Sequence, residues 1–399
     1  MEEKKMEKAR CAGYLTAGIA GGIKKNGTED LGLIFSKVPA AAAGVFTKNR
    51  VQAAPVLLDR SRIQSGRCQA IVVNSGNANC CTGEQGLRDA EEMARLTAMA
   101  LDIAPELVLV ASTGVIGEPL PIKKIQRAVP ALVDGLQAGN FDGLARAIMT
   151  TDTVPKIVSK SGRIGGQTYT LTGTAKGAGM IRPDMATMLC FICSDVAISV
   201  DRLQKALTAA TAKSFNRITI DGDTSTNDTV LIMANGLSGA AVKTEDQMKT
   251  FQATLDSVLM QLAKMLVKDG EGATKLVNII VKGALSDEDA YRVADTVSHS
   301  NLVKTALFGE DANWGRIMAA VGRAGAAVDP DKIDIFFGKV QMVKDSAGRG
   351  KSAEAEATKI LKKPEFDITI DLHVGSGQAA VLTCDFSVDY VKINADYRT

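Results

Sequence analysis

Residues 176–195 read KGAGMIRPDMATMLCFICSD. The first half is a polar loop holding glycines and Pro183. The second half, MLCFICSDV, is a short apolar run with the composition of a buried strand. GAGMIR imitates the start of a dinucleotide-binding fingerprint, but that fingerprint needs a helix directly after its glycines. Pro183 interrupts here and a strand follows, so the dinucleotide reading is rejected. Thr187 is read as the first residue of a strand running to Cys193. Cys190 and Cys193 form a C-x-x-C within that strand. Redox pairs of this spacing open a helix, which lowers the thiol pKa. A zinc site would need further ligands, and no second C-x-x-C or His pair exists. These cysteines are read as structural.

Outward from this segment, short β-type runs mix with amphipathic helices, so the class is α/β or α+β. Strands are predicted at Leu31–Val38, Gly44–Thr47, Ala70–Asn74, Leu107–Ser112, Thr168–Thr172, Leu276–Lys282, Ile333–Phe337, Phe366–His373 and Ala379–Ser387. Phe366, Ile368, Ile370 and Leu372 alternate cleanly, the mark of a half-buried strand. Helices are predicted at Leu87–Leu101, Val200–Lys213, Glu245–Lys268 and Ser286–Thr296. Met248, Phe251, Leu255, Leu259, Leu262 and Leu266 share one face of the third, and S-D-E-D at 286–289 is an N-terminal capping signal. A domain boundary is placed near Leu276, with the charged run from Lys282 to Pro364 as a smaller second unit.

The chain has 399 residues, 46% hydrophobic, enough for one large domain or two packed ones. A formal charge of +2 and few aromatics give no reason to expect nucleic acid or a membrane surface as partner. Met1–Lys8 is charged and lacks the apolar stretch of a secretory signal, and no segment has the unbroken apolar length of a membrane helix. A soluble, cytoplasmic protein is expected. Seven scattered cysteines do not read as a disulfide framework.

Only His299 and His373 could supply an imidazole base, and neither sits in a nucleophile motif. G-x-S-x-G, H-E-x-x-H and P-loop motifs are absent. A nucleophilic enzyme built on this chain would need another base. The Ala186–Thr187 bond offers one, because a Thr hydroxyl at a loop–strand junction can attack the carbonyl just before it. Hydrolysis of the resulting ester frees Thr187 as a new N-terminus, whose α-amine (reference pKa near ~7.7–8.0) serves as base for its own hydroxyl. A Thr entering a strand is also an ordinary structural feature.

At these residues the sequence resembles the glutamate N-acetyltransferase / ornithine acetyltransferase family. The family's cleavage motif runs K-G-x-G-M-I-x-P-[ND]-M-A-T-M-L, and Lys176–Leu189 fits it throughout. Asp184 stands where Asn is commoner and Ala178 where Ser is frequent. Further matching blocks are NSGNANCCTG (74–83), STGVIG (112–117), TTDTVPK (150–156), DGDTSTNDT (221–229), DGEGATK (269–275), GEDANWGRI (309–317) and NADYRT (394–399). The resemblance covers the whole chain.

It implies a layered α-β-β-α sandwich shared by two cleavage fragments, 1–186 and 187–399. Residues 187–275 would complete the core, about 276–375 form a smaller α/β domain, and 376–399 return to the active site. It implies Thr187 as nucleophile, cleavage between Ala186 and Thr187, and Thr113 with Gly114 as the oxyanion hole. Thr153, Lys176, Thr187, Glu271, Asn394 and Thr399 would bind substrate. The bland readings are a Gly-rich turn for STGVIG, a solvated charge for Lys176 and a loop acid for Glu271. The blocks 74–83, 221–229 and 313–316 are expected to be structural, since Asn and Gly clusters build turns.

The implied reaction is ping-pong acetyl transfer from N2-acetylornithine to glutamate, giving ornithine and N-acetylglutamate for arginine biosynthesis. No metal or redox cofactor is implied, and acetyl-CoA stays open as a second acetyl donor. The implied assembly is a heterotetramer of two cleaved protomers. Two rivals remain: a self-processing aminopeptidase or amidase of related fold, and a non-catalytic metabolite-binding protein.

Overall fold

The structure is a computed structural model, described here for residues 11–182 and 188–396. Two sheets form the frame. Strands β1 (Tyr14–Ile19), β2 (Leu31–Phe46), β3 (Arg67–Asn77), β4 (Val108–Val115), β5 (Lys156–Ile164), β6 (Gln167–Lys176) and β7 (Leu189–Ser194) come first along the chain. They are followed by β8 (Ile218–Thr219) and β9 (Thr229–Ala234). The larger sheet has the order β4-β3-β2-β9-β7-β6-β5, with β1 pairing β2. The second sheet takes β10 (Leu276–Ala284), β11 (Asp334–Phe337), β12 (Val340–Lys344), β13 (Ala347–Gly348), β14 (Glu365–Asp371) and β15 (Gly377–Cys384). Its order is β13-β12-β11-β14-β10-β15-β8.

The larger sheet folds over on itself. The predicted strands 31–38 and 44–47 are one strand, β2, interrupted by a register shift between Phe35 and Ala40. Its first half pairs β1 and β3; beyond the break Ala40 and Ala41 still pair β3, and Ala41–Phe46 pair β9. Side-chain alternation then assigns the layers. Ile71 and Val73 of β3 share a core with Phe191 of β7 and Leu231 of β9, so the two halves of the sheet face each other. The opposite faces are covered by helices. Ala70 and Val72 pack with residues of helices Gly83–Leu101 and Ile122–Asp134. Cys190 and Ile192 pack with residues of helices Val200–Lys213 and Glu245–Lys268. The result is helix, sheet, sheet, helix, the expected layered sandwich.

Helices Val200–Lys213 and Glu245–Lys268 have the predicted bounds. The second starts in a reciprocal capping box between Thr244 and Gln247, which satisfies two otherwise orphan N–H groups. Ser286 caps the helix Asp287–Ser298 through the Asp289 N–H. The strand predicted to end at His373 stops at Asp371, and His373 has a left-handed φ of 49°. The predicted start of β7 at Thr187 lies outside the described residues; the described strand begins at Leu189.

Cys190 and Cys193 point to opposite faces of β7. Cys190 belongs to the helix-covered core and Cys193 to the core between the layers. Burial pushes both thiols up from the ordinary range. They are packing residues, not a redox pair.

Candidate active site

The predicted loop-to-strand junction sits between two pinned ends. On one side, Asp221 accepts hydrogen bonds from the backbone N–H groups of Met180 and Ile181 (2.8 Å for the latter), while Thr219 and Ile220 donate to the Ile181 carbonyl. On the other, Asp228 Oδ1 accepts from the Met188 N–H at 3.0 Å. Ala186 and Thr187 lie between these anchors, outside the described residues, as does Thr399.

Five predicted site residues line one cavity beside this junction: Thr113, Gly114, Lys176, Glu271 and Asn394. Thr113 and Gly114 stand near the end of β4. Gly114 has φ +132°, and a Cβ there would strike the backbone of Gly76 and Asn77, so only glycine fits. Lys176 ends β6 and is 3% exposed. Its ammonium donates to the hydroxyls of Thr150 (2.7 Å) and Thr113 (3.3 Å). A hydroxyl that accepts from a cation keeps its own hydrogen free to donate, which is the polarity an oxyanion hole requires.

Lys176 is held in a buried ionic network. Asp152 lies 3.9 Å from its ammonium and accepts from Lys156 (2.7 Å) and the Gly177 N–H (2.7 Å). Lys156 also reaches Asp269 at 2.5 Å. Burial pulls the Lys176 pKa below that of an exposed lysine, partly opposed by Asp152. Burial also works against the Asp152 charge, but the ammonium groups of Lys176 and Lys156 prevail and hold its carboxyl at about 2. The solvated reading of Lys176 is thus excluded.

Glu271 follows Asp269 on a turn fixed by its own N–H to the Ala178 carbonyl (2.7 Å). Nearby, Asp385 accepts from the N–H groups of Thr274 and Lys275. Gly179 lets this turn approach, because a Cβ there would collide with the Glu271 carboxylate. Asn394, on the helix Val388–Ala395, donates to Glu271 at 2.7 Å, and Tyr390 donates to Asp221 at 3.3 Å. The C-terminal helix therefore forms one wall of the cavity.

Thr153 is not among the lining residues. Its hydroxyl and N–H are both tied to Asp269, and Thr150 and Thr151 of the same block face the cavity instead. Sequence reading also passed over Asp152, Lys156 and Asp269. Their signal lay in charges inside apolar-flanked blocks, but the pairing spans 113 residues between Lys156 and Asp269. The 221–229 block is more than a turn, since Asn227 donates to the carbonyls of Ala78 and Ser112, directly behind the Thr113 wall. Neither histidine lines the cavity. His299 is bonded to Thr219 and Asp295, and His373 to Asp334. Among the described residues no cluster of three or more His, Cys, Asp or Glu has the geometry to hold a metal ion.

The profile of the ArgJ family matches residues 15–399. An arginine biosynthesis bifunctional protein ArgJ from Geobacter sulfurreducens is 54% identical over 97% of this chain and 99% of its own. The chain belongs to the ArgJ family. It is an acetyltransferase of arginine biosynthesis. The crystal structure of an arginine biosynthesis bifunctional protein ArgJ from Bacillus halodurans is 44% identical, with a TM-score of 0.50. It covers 52% of this chain and 98% of that one. The ornithine acetyltransferase of Mycobacterium tuberculosis, solved with ornithine, is 40% identical over 45% of this chain and 96% of that one, with a TM-score of 0.40. Among the described residues no helix is long and apolar enough to cross a membrane.

Proposed function

We propose that this family member cleaves itself between Ala186 and Thr187. Thr187 then carries acetyl from N2-acetylornithine to glutamate as an ester on its hydroxyl. The observation that carries this reading is a buried ammonium, Lys176, and a buried carboxylate, Glu271, lining one cavity with Thr113 and Gly114. That cavity lies at the strand entrance immediately after residue 187. The cation suits the α-carboxylate that both acetylornithine and glutamate carry. The carboxylate suits the side-chain amine of ornithine.

In the first half-reaction the Thr187 amine takes the proton of its own hydroxyl, and the oxygen attacks the acetamide carbon. Negative charge on the carbonyl oxygen is met by the Thr113 hydroxyl and the Gly114 N–H, each such donor contributing on the order of 3 kcal/mol. The Thr187 ammonium returns that proton to the departing nitrogen, ornithine leaves, and glutamate takes the acetyl group from the ester by the reverse steps. Thr153 acts through its hold on Asp269, Asn394 closes the site from the C-terminal helix, and Thr399 is a further candidate substrate contact. Acetyl-CoA is a candidate second donor, and two cleaved protomers are the candidate assembly.

Thr187→Ala tests the reading. It should yield one uncut polypeptide without transferase activity, whereas a variant that still cuts before residue 187 overturns it. Acetylornithine incubated without glutamate should leave one acetyl group on the 187–399 piece. Free acetate released at an unchanged rate would mark a hydrolase instead.

A further inference from the structure

The free amine that activates Thr187 does not exist until the chain has been cut. Self-cleavage therefore needs a different proton acceptor, and both histidines are committed elsewhere. Asp228 is the acid tied to the backbone next to Thr187. It is 1% exposed, and its Oδ1 accepts from the Met188 N–H at 3.0 Å. The Met188 nitrogen is covalently bonded to the Thr187 carbonyl carbon, so this hydrogen bond fixes the carboxyl group within one residue of the nucleophile. The Asp228 backbone is locked as well. Its carbonyl accepts from the Thr47 N–H, and the next residue, Thr229, donates its N–H to the Met188 carbonyl.

The second oxygen, Oδ2, is buried and accepts no hydrogen bond of good geometry among the described residues, with only the hydroxyls of Thr47 and Ser225 beside the carboxyl. An orphaned buried carboxylate oxygen is costly. Retention of one on a carboxyl tied to the residue after Thr187 points to a use. Burial raises the pKa of this carboxyl, against the Met188 N–H, the Lys176 charge and the hydroxyls of Thr47 and Ser225. Burial that disfavours the charged form suits a carboxyl to take up a proton.

We propose that Asp228 Oδ2 is the proton carrier of self-cleavage. The inference rests on the reading of Thr187 as nucleophile. The Thr187 hydroxyl proton passes to Oδ2 as its oxygen bonds to the Ala186 carbonyl carbon. The carbon–nitrogen bond of the tetrahedral adduct then breaks, and the same proton moves to the Thr187 nitrogen. Ala186 is left as an ester on the Thr187 oxygen with the amine free. Water adds to the ester, giving the Ala186 carboxylate and restoring the hydroxyl.

The test follows precursor disappearance by intact mass in freshly translated full-length wild type, Asp228→Asn, Asp228→Glu, Asp228→Ala and Thr187→Ala. Asparagine keeps the shape and a hydrogen-bond acceptor for Met188 but cannot carry the proton, so cleavage should slow by about 100-fold or more with the melting temperature little changed. Glutamate should restore part of the rate, and added formate should accelerate Asp228→Ala but not Thr187→Ala. Cleavage of Asp228→Asn within about threefold of wild type, with Thr187→Ala uncut, overturns the inference and leaves the nucleophile standing. Equal slowing of the Asn and Glu variants with an early melt, or no response of Asp228→Ala to formate, assigns Asp228 a structural role and also overturns it. An uncut wild type, or a cut Thr187→Ala, overturns the nucleophile itself.

Discussion

The chemistry of the cavity depends on charges that are buried together. Asp152 has a folded-state pKa of about 2, below its unfolded value near ~3.9. A depressed carboxylate stabilises the fold above the unfolded value, and that contribution is lost as pH falls through the folded one. The stability gap between wild type and Asp152→Asn should thus be full above about pH 4, on the order of 2–3 kcal/mol, and shrink towards pH 2. Urea titrations at several pH values read this directly, and a pH-independent gap would refute it. Gly179→Ala probes the other side of the site. The new methyl must push the Glu271 carboxylate away, so KM for acetylornithine should rise by about tenfold. An unchanged KM in steady-state assays would dissociate Glu271 from substrate.

Elements differ in how they divide stability from function. The helix Val388–Ala395 buries none of its residues, yet it delivers Asn394 to Glu271. Ending the chain after Lys392 should leave the melting temperature within about 2 °C, while kcat/KM falls by about tenfold or more. A large loss of stability would contradict the burial pattern. Elements that carried their own local signals were legible in the sequence. The helix Glu245–Lys268 had one apolar face, the helix after Ser286 had its capping signal, and β14 had strict alternation until Asp371. β9 went unread because all six of its residues are buried, so no period separates its two faces. β1 and β5 were missed too, and the bent β2 read as two strands. The cavity lining was legible only through motif resemblance. The ion network that holds Lys176 depends on chain pairings invisible to local reading.

At the scale of the molecule, residues before and after 186 are interleaved in one sheet. β7 lies between β6 and β9, and β9 in turn pairs β2. Both pieces therefore fill the same core, and scission removes no ladder hydrogen bond between them. The proposed cut protein should migrate as one species in gel filtration at high salt and come apart only in denaturant. Separation of the pieces under native conditions would show that their interface is weaker than a shared core. Both β-layers also hang on one strand, β2, which keeps β3 on one edge across the break between Phe35 and Ala40 and exchanges β1 for β9 on the other. Side chains alternate on either side of that corner, so its spacing sets which residues each layer turns inward. An extra amino acid at Lys37 or Val38 can be absorbed in the slack of the corner. The same addition among Ala41–Phe46 would turn that stretch inside out and unseat β9. The loop bearing Asp228 and Asn227 would move with it, so a packing error far from the cavity would arrive there as a misaligned nucleophile.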